Sequence, residues 1–83
     1  MRILGIDYGR KRLGLALSDE DAVLASPLAP YTRCRLKTDL QRLAQLIEEK
    51  RISRVVVGLP LHMNGWAGEM AREASAFAEQ LAD

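Results

Sequence analysis

An aspartate closes the apolar run Ile3-Leu4-Gly5-Ile6, and the turn Tyr8-Gly9-Arg10-Lys11 leads directly from Asp7 into a second apolar stretch, Arg12-Leu13-Gly14-Leu15-Ala16-Leu17. A carboxylate at a strand end beside three cations can hold a divalent metal against a phosphate. The acid supplies a hard oxygen ligand, while Arg10, Lys11 and Arg12 attract the polyanion. Asp7 with Gly9 two positions on also suits an Asx-type turn, and the cations also suit a solvated hairpin tip.

The other chemically suggestive residues carry less. His62 has no second ligand at helical or turn spacing and reads as a solvent-facing loop residue. Trp66 begins the apolar stripe of a helix, where core packing is the simpler reading than base stacking. Cys34, between Arg33 and Arg35, is the single cysteine. One thiol cannot form an internal disulfide or a cysteine-based zinc site, which agrees with a reducing compartment.

These residues must be positioned by a small fold. The chain has 83 residues, 48% hydrophobic and 28% charged, as expected of one globular domain over residues 1–83. A domain this small buries only about 60–65% of its unfolded surface. No apolar run approaches the roughly 20 residues that cross a bilayer, and Asp7 with Arg10-Lys11-Arg12 interrupts any signal-peptide pattern. The expectation is a cytoplasmic protein with no membrane partner. The net charge of +1 conceals an asymmetry: residues 1–54 hold eleven Lys and Arg against seven acids, and residues 55–83 hold Arg72 against four acids. A basic N-terminal part suits a polyanion.

Residues 2–7 and 12–18 read as a β-hairpin, with Gly9 available for a positive φ in its turn. After a turn at Asp19–Ala22, a short strand Val23–Ser26 is expected to end where Pro27 and Pro30 deny the ladder two N–H donors. Thr32 to Lys37 reads as a polar connection. Leu36, Leu40, Leu43, Ala44 and Ile47 then mark an amphipathic helix, with a capping box from Thr38 and Gln41 and an end near Lys50-Arg51. Val55-Val56-Val57 has the character of a central parallel strand. A second helix carries Trp66, Met70, Ala74, Phe77, Ala78 and Leu81. The crossover makes the fourth strand parallel to the first, so the two can pair side by side. That would bring the loop from Pro60 to Gly65 near Asp7, with Pro60, Asn64 and Gly65 shaping the site.

The string GIDYGRKRLGLALSD at Gly5–Asp19, ASPL at Ala25–Leu28 and VVVGLPLHMNG at Val55–Gly65 closely resemble the YqgF/RuvX family, and Gly68-Glu69 with the Ala-rich helix fits it too. The resemblance spans nearly the whole chain. It implies an α/β fold of RNase H-like type, a mixed sheet in the order β-β-β-α-β-α. It also implies a nuclease that matures the 5′ end of the 16S rRNA precursor, with Holliday-junction resolution on branched DNA as the alternative.

By the same resemblance Asp7 is a catalytic carboxylate and a ligand of Mg²⁺ or Mn²⁺, and Gly9 permits the close turn. Such nucleases use two metals about 4 Å apart, and one Asp cannot hold the pair alone. The family's other acids come from an Asp-Glu-Arg segment after a fifth strand and from a final helix. Neither is in this sequence, which therefore resembles the N-terminal part of a longer family member. His62 and Asn64 stand where family members often carry Asn and Asp. Two other functions fit the opening strands: a nucleotide-binding fold of the actin and sugar-kinase type, and a non-catalytic nucleic-acid-binding module. The basic turn disfavours the nucleotide reading, because small hydroxyl residues usually cradle phosphates there.

Overall fold

The computed structural model describes residues 1–21, 24–58 and 65–82. They form β1 (Arg2–Asp7), β2 (Arg12–Ser18), β3 (Ala25–Thr32), α1 (Leu36–Glu49), β4 (Ile52–Gly58) and α2 (Gly65–Ala82), in the order expected from the sequence. The strands make one mixed sheet in the order β3-β2-β1-β4. β1 runs antiparallel to β2, with Asp7 opposite Gly14, and parallel to β4, with Asp7 beside Gly58.

Strand alternation divides the sheet into two unlike faces. Leu4, Ile6 and Leu13 point to one face and are buried with Leu43 of α1 and Phe77 of α2. Burying a side chain the size of Phe77 stabilises by about 2–3 kcal/mol. The opposite face carries Gly5, Asp7, Gly14, Ala16, Val56 and Gly58, which line a shallow concavity that no described helix covers. Asp7 therefore stands on the open face, at the end of β1.

Four expectations are corrected. β3 does not stop at Pro27 but continues through Pro30 to Thr32. It can do so because β3 is an edge strand paired only with β2, where prolines cost no inner ladder bond. The register between β2 and β3 also shifts at Leu13/Leu15, where Leu28 to Tyr31 take one residue more than their partners, and Pro30 falls in that irregular stretch. β4, expected to be central, lies at the other edge among the described residues, and its Val56 is 51% exposed.

The capping box is absent as well. The N-cap position of α1 is Arg35, and no side chain caps it by a hydrogen bond. Asp39, within the first turns, instead accepts the backbone N–H of Cys34 at 2.9 Å. Finally, no glycine among the described residues has a positive φ. Gly9 is required for a different reason: a Cβ there would collide with the Arg12 carbonyl oxygen. Of the expected turn at Asp19–Ala22, residues 22 and 23 lie outside the described residues, and the Asp19 N–H donates to the Leu24 carbonyl across it at 3.0 Å.

At the far end of α1 the chain leaves through Lys50 and Arg51, and Arg51 has φ 53°. The left-handed conformation costs a non-glycine residue about 1 kcal/mol, and glycine usually fills this position. Arg51→Gly is expected to raise the thermal midpoint by a few degrees, measured by circular dichroism. An unchanged or lower midpoint would contradict the strain argument.

Candidate functional site

Asp7 is exposed and flanked across the sheet by glycines on both sides, Gly14 and Gly58. A Cβ at Gly14 would come within 3.2 Å of the Asp7 Cβ, so a larger residue there would push the carboxylate aside. The two glycines leave room for a ligand to approach Asp7 from the open face.

The turn that follows is held from behind by Arg33, which leaves β3 at the same end of the sheet. Its Nη1 donates to the Gly9 carbonyl at 3.1 Å, and its Nε donates to Asp39 Oδ2 at 3.0 Å. The guanidinium lies over the Tyr8 ring at 5.0 Å and over the Phe77 ring at 5.3 Å. The Arg33 backbone N–H adds a bond to the Lys11 carbonyl at 2.9 Å. One residue thus ties the β1–β2 turn to β3, α1 and α2.

Asp39 makes that arrangement possible. Its side chain is 0% exposed, and an unpaired charge at such depth would cost several kcal/mol. Its oxygens are satisfied by the Tyr31 hydroxyl at 2.8 Å, the Cys34 N–H at 2.9 Å and the Arg33 guanidinium. Burial by itself pushes the Asp39 carboxyl up. The bonds from Cys34, Tyr31 and Arg33 outweigh it and hold the carboxyl below its ordinary value. Burial, together with the bond to Asp39, pushes the Tyr31 hydroxyl up.

The expected phosphate clamp is divided. Arg10 turns to α2, where Nη2 and Nε contact Glu73 at 2.6 and 3.1 Å, and the Tyr8 hydroxyl reaches the same carboxylate at 3.4 Å. The Arg10 hydrogen bonds and charge hold the Glu73 carboxyl below its ordinary value. Lys11 and Arg12 are exposed, and no hydrogen bond or ion pair engages their side chains among the described residues.

Asp7, Gly9, Arg10, Lys11 and Arg12 therefore meet at one sheet edge, as expected. Gly65 opens α2 rather than closing a loop. Pro60, His62 and Asn64 lie outside the described residues, as does the side chain of Trp66. Arg33, Asp39, Tyr31 and Glu73 were not foreseen. Asp39 left one legible signal: four residues before Leu43, it interrupts the apolar stripe of α1 with a charge that needs a partner.

Mg²⁺ or Mn²⁺ would find one hard ligand at this edge. Among the described residues no group of three or more His, Cys, Asp or Glu side chains could hold a metal ion. The described residues do not fit a metal pair.

A family model described as "RuvX: Holliday junction resolvase" matches residues 1–83. A protein of Anaeromyxobacter sp. (strain Fw109-5) named "Putative pre-16S rRNA nuclease" is 46% identical over 82 residues, covering 99% of this chain and 60% of the relative. One of Anaplasma marginale (strain St. Maries) with the same name is 40% identical over 80 residues, covering 96% and 51%. The chain thus spans about half to three-fifths of the length of the curated relatives it matches. Among solved structures, the type II variant of the Aquifex aeolicus Ppx/GppA phosphatase superimposes with a TM-score of 0.52 at 20% identity, covering 98% of this chain and 32% of that one. That likeness is one of fold. Among the described residues no helix is long and apolar enough to cross a membrane.

Asp39→Asn keeps the shape of the buried network and removes its charge. Because the folded carboxyl titrates below the unfolded value near 3.9, its stabilisation is complete above about pH 4 and is lost as pH falls through the folded value. Urea midpoints should show wild type well above Asp39→Asn at neutral pH, with the gap closing below about pH 4. A gap independent of pH would contradict the assignment.

Proposed function

The chain belongs to the RuvX family, and from that premise we propose that it supplies the first catalytic carboxylate and part of the nucleic-acid contact of a metal-dependent nuclease. The substrate in this reading is the precursor of 16S rRNA, as the names of the curated relatives support, and the proposed cut is endonucleolytic, at its 5′ end. The four-stranded mixed sheet with two helices supports reading the fold as RNase H-like. The observation that carries the proposal is Asp7 itself. It is an exposed carboxylate on the uncovered face, between two glycines, with Lys11 and Arg12 at the same edge.

In this reading Lys11 and Arg12 bind backbone phosphates and bring the scissile group to the open face. Asp7 would supply one hard oxygen ligand to Mg²⁺ or Mn²⁺, which would serve there as a Lewis acid. Residues 59–64, Leu-Pro-Leu-His-Met-Asn, contain no acid that could join Asp7. A non-catalytic mode for the 83-residue chain is favoured by that single carboxylate. Branched DNA is the second substrate, supported by the family description.

The purified chain is expected to bind structured RNA without a divalent metal, to keep that binding in Asp7→Asn, and to cleave nothing in Mn²⁺. Gel shift and a labelled-RNA cleavage assay read both. Cleavage abolished by Asp7→Asn would overturn the assignment of an incomplete site. Micromolar ATP binding by calorimetry, with no affinity for RNA or junction DNA, would overturn the nuclease reading altogether.

A further inference from the structure

The β1–β2 turn and the β3–α1 connection are two short segments of like composition, Tyr-Gly-Arg-Lys-Arg at residues 8–12 and Tyr-Thr-Arg-Cys-Arg-Leu-Lys at residues 31–37, and neither contains an acid. The fold sets them side by side. Arg12 pairs with Thr32 and Leu13 with Tyr31 across β2 and β3, and the Arg33 N–H donates to the Lys11 carbonyl at 2.9 Å. Each segment pairs one arginine with an acid, Arg10 with Glu73 at the surface and Arg33 with the buried Asp39. Each leaves two cations outside: Lys11 and Arg12 on the turn, Arg35 and Lys37 on the connection. All four residues are exposed, and no hydrogen bond or ion pair engages their side chains among the described residues.

Two nearby acids do not oppose this charge. Asp39 is buried against Arg33 and Glu73 is engaged by Arg10, which leaves Asp7 at the edge and Glu69 on α2, whose charge reaches Arg10. Arg35 follows Thr32 by three residues, at most about 11 Å of extended chain, and Thr32 lies about 5 Å across from Arg12, so the two backbone positions stand within about 16 Å, or about two Debye lengths at physiological salt. A few nucleotides of one strand span that distance.

Resting on the nucleic-acid reading above, we infer that the phosphate track does not end at the β1–β2 turn but continues over Arg35 and Lys37. A polynucleotide strand crosses from the Asp7 edge onto the start of α1. Arg10, held by Glu73, contributes less to it than its place in the turn implies. Four phosphate contacts on single-stranded RNA give a slope of log K against log salt of about −3, and removing two of them lowers its magnitude by about 1.4.

The test measures binding of a short fluorescein-labelled single-stranded RNA by anisotropy over a range of salt. Three pairs of substitutions are compared, Lys11→Gln with Arg12→Gln, Arg35→Gln with Lys37→Gln, and Lys50→Gln with Arg51→Gln. The last pair removes the same charge from the other end of α1, about 21 Å away along a helix of 14 residues. Circular dichroism verifies that each variant is folded. The inference expects the first two pairs to flatten the slope equally and to weaken binding several-fold at low salt, with the third near wild type. If Arg35→Gln with Lys37→Gln matches the third pair while Lys11→Gln with Arg12→Gln weakens binding, the extended track is overturned and the nucleic-acid reading stands. If wild type does not bind, that reading fails and the track with it.

Discussion

The buried charge of Asp39 constrains much of this molecule. A carboxylate with no solvent exposure must be matched by donors, and the fold meets that demand with the Tyr31 hydroxyl, the Cys34 N–H and the Arg33 guanidinium. Pairing fixes Arg33, and a fixed Arg33 has donors left for the Gly9 carbonyl and a flat surface left for Tyr8 and Phe77. The geometry of the candidate site thus descends from a residue on another element that never touches it. Replacing both charges with apolar groups could leave overall stability little changed, but would remove the strap that defines the turn.

The consequence for function is a division of labour among six cations at one end of the sheet. Two are paired, Arg33 with the buried Asp39 and Arg10 with Glu73 at the surface. Four face solvent. Asp7, with glycines on both sides, faces the open side of the sheet. Positive charge for a polyanion and a single hard oxygen ligand are therefore presented together, on a surface with little side-chain bulk.

Much of the fold was legible in the sequence because its signals are local. The helices follow from periodicity, the hairpin and the Val-rich strand from local composition, and the parallel direction of β1 and β4 from two hairpin connections followed by a strand–helix–strand crossover. What escaped depends on neighbours. Pro27 and Pro30 end an inner strand but not an edge strand, and edge position is a property of the assembled sheet. Val55-Val56-Val57 has the composition of a strand covered on both faces, yet here Val56 is half exposed. Gly9 was correctly singled out but for the wrong reason, since the close Arg12 carbonyl, not a positive φ, demands it. Asp7 and the basic turn were legible as a site. The Arg10–Glu73 and Arg33–Asp39 pairs were not, because their partners lie 63 and 6 residues apart and sequence spacing marks neither.

The claim on which the account rests is that the Arg33–Asp39 pair sets the position of the β1–β2 turn. Amide hydrogen exchange by NMR tests it in the chain carrying Arg33→Met and Asp39→Leu together, which avoids leaving either charge buried alone. The account predicts that the amide of residue 33, bonded to the Lys11 carbonyl, loses its protection, while the ladder amides of β1 and β4 keep theirs. Unchanged protection at residue 33 in that chain would contradict it.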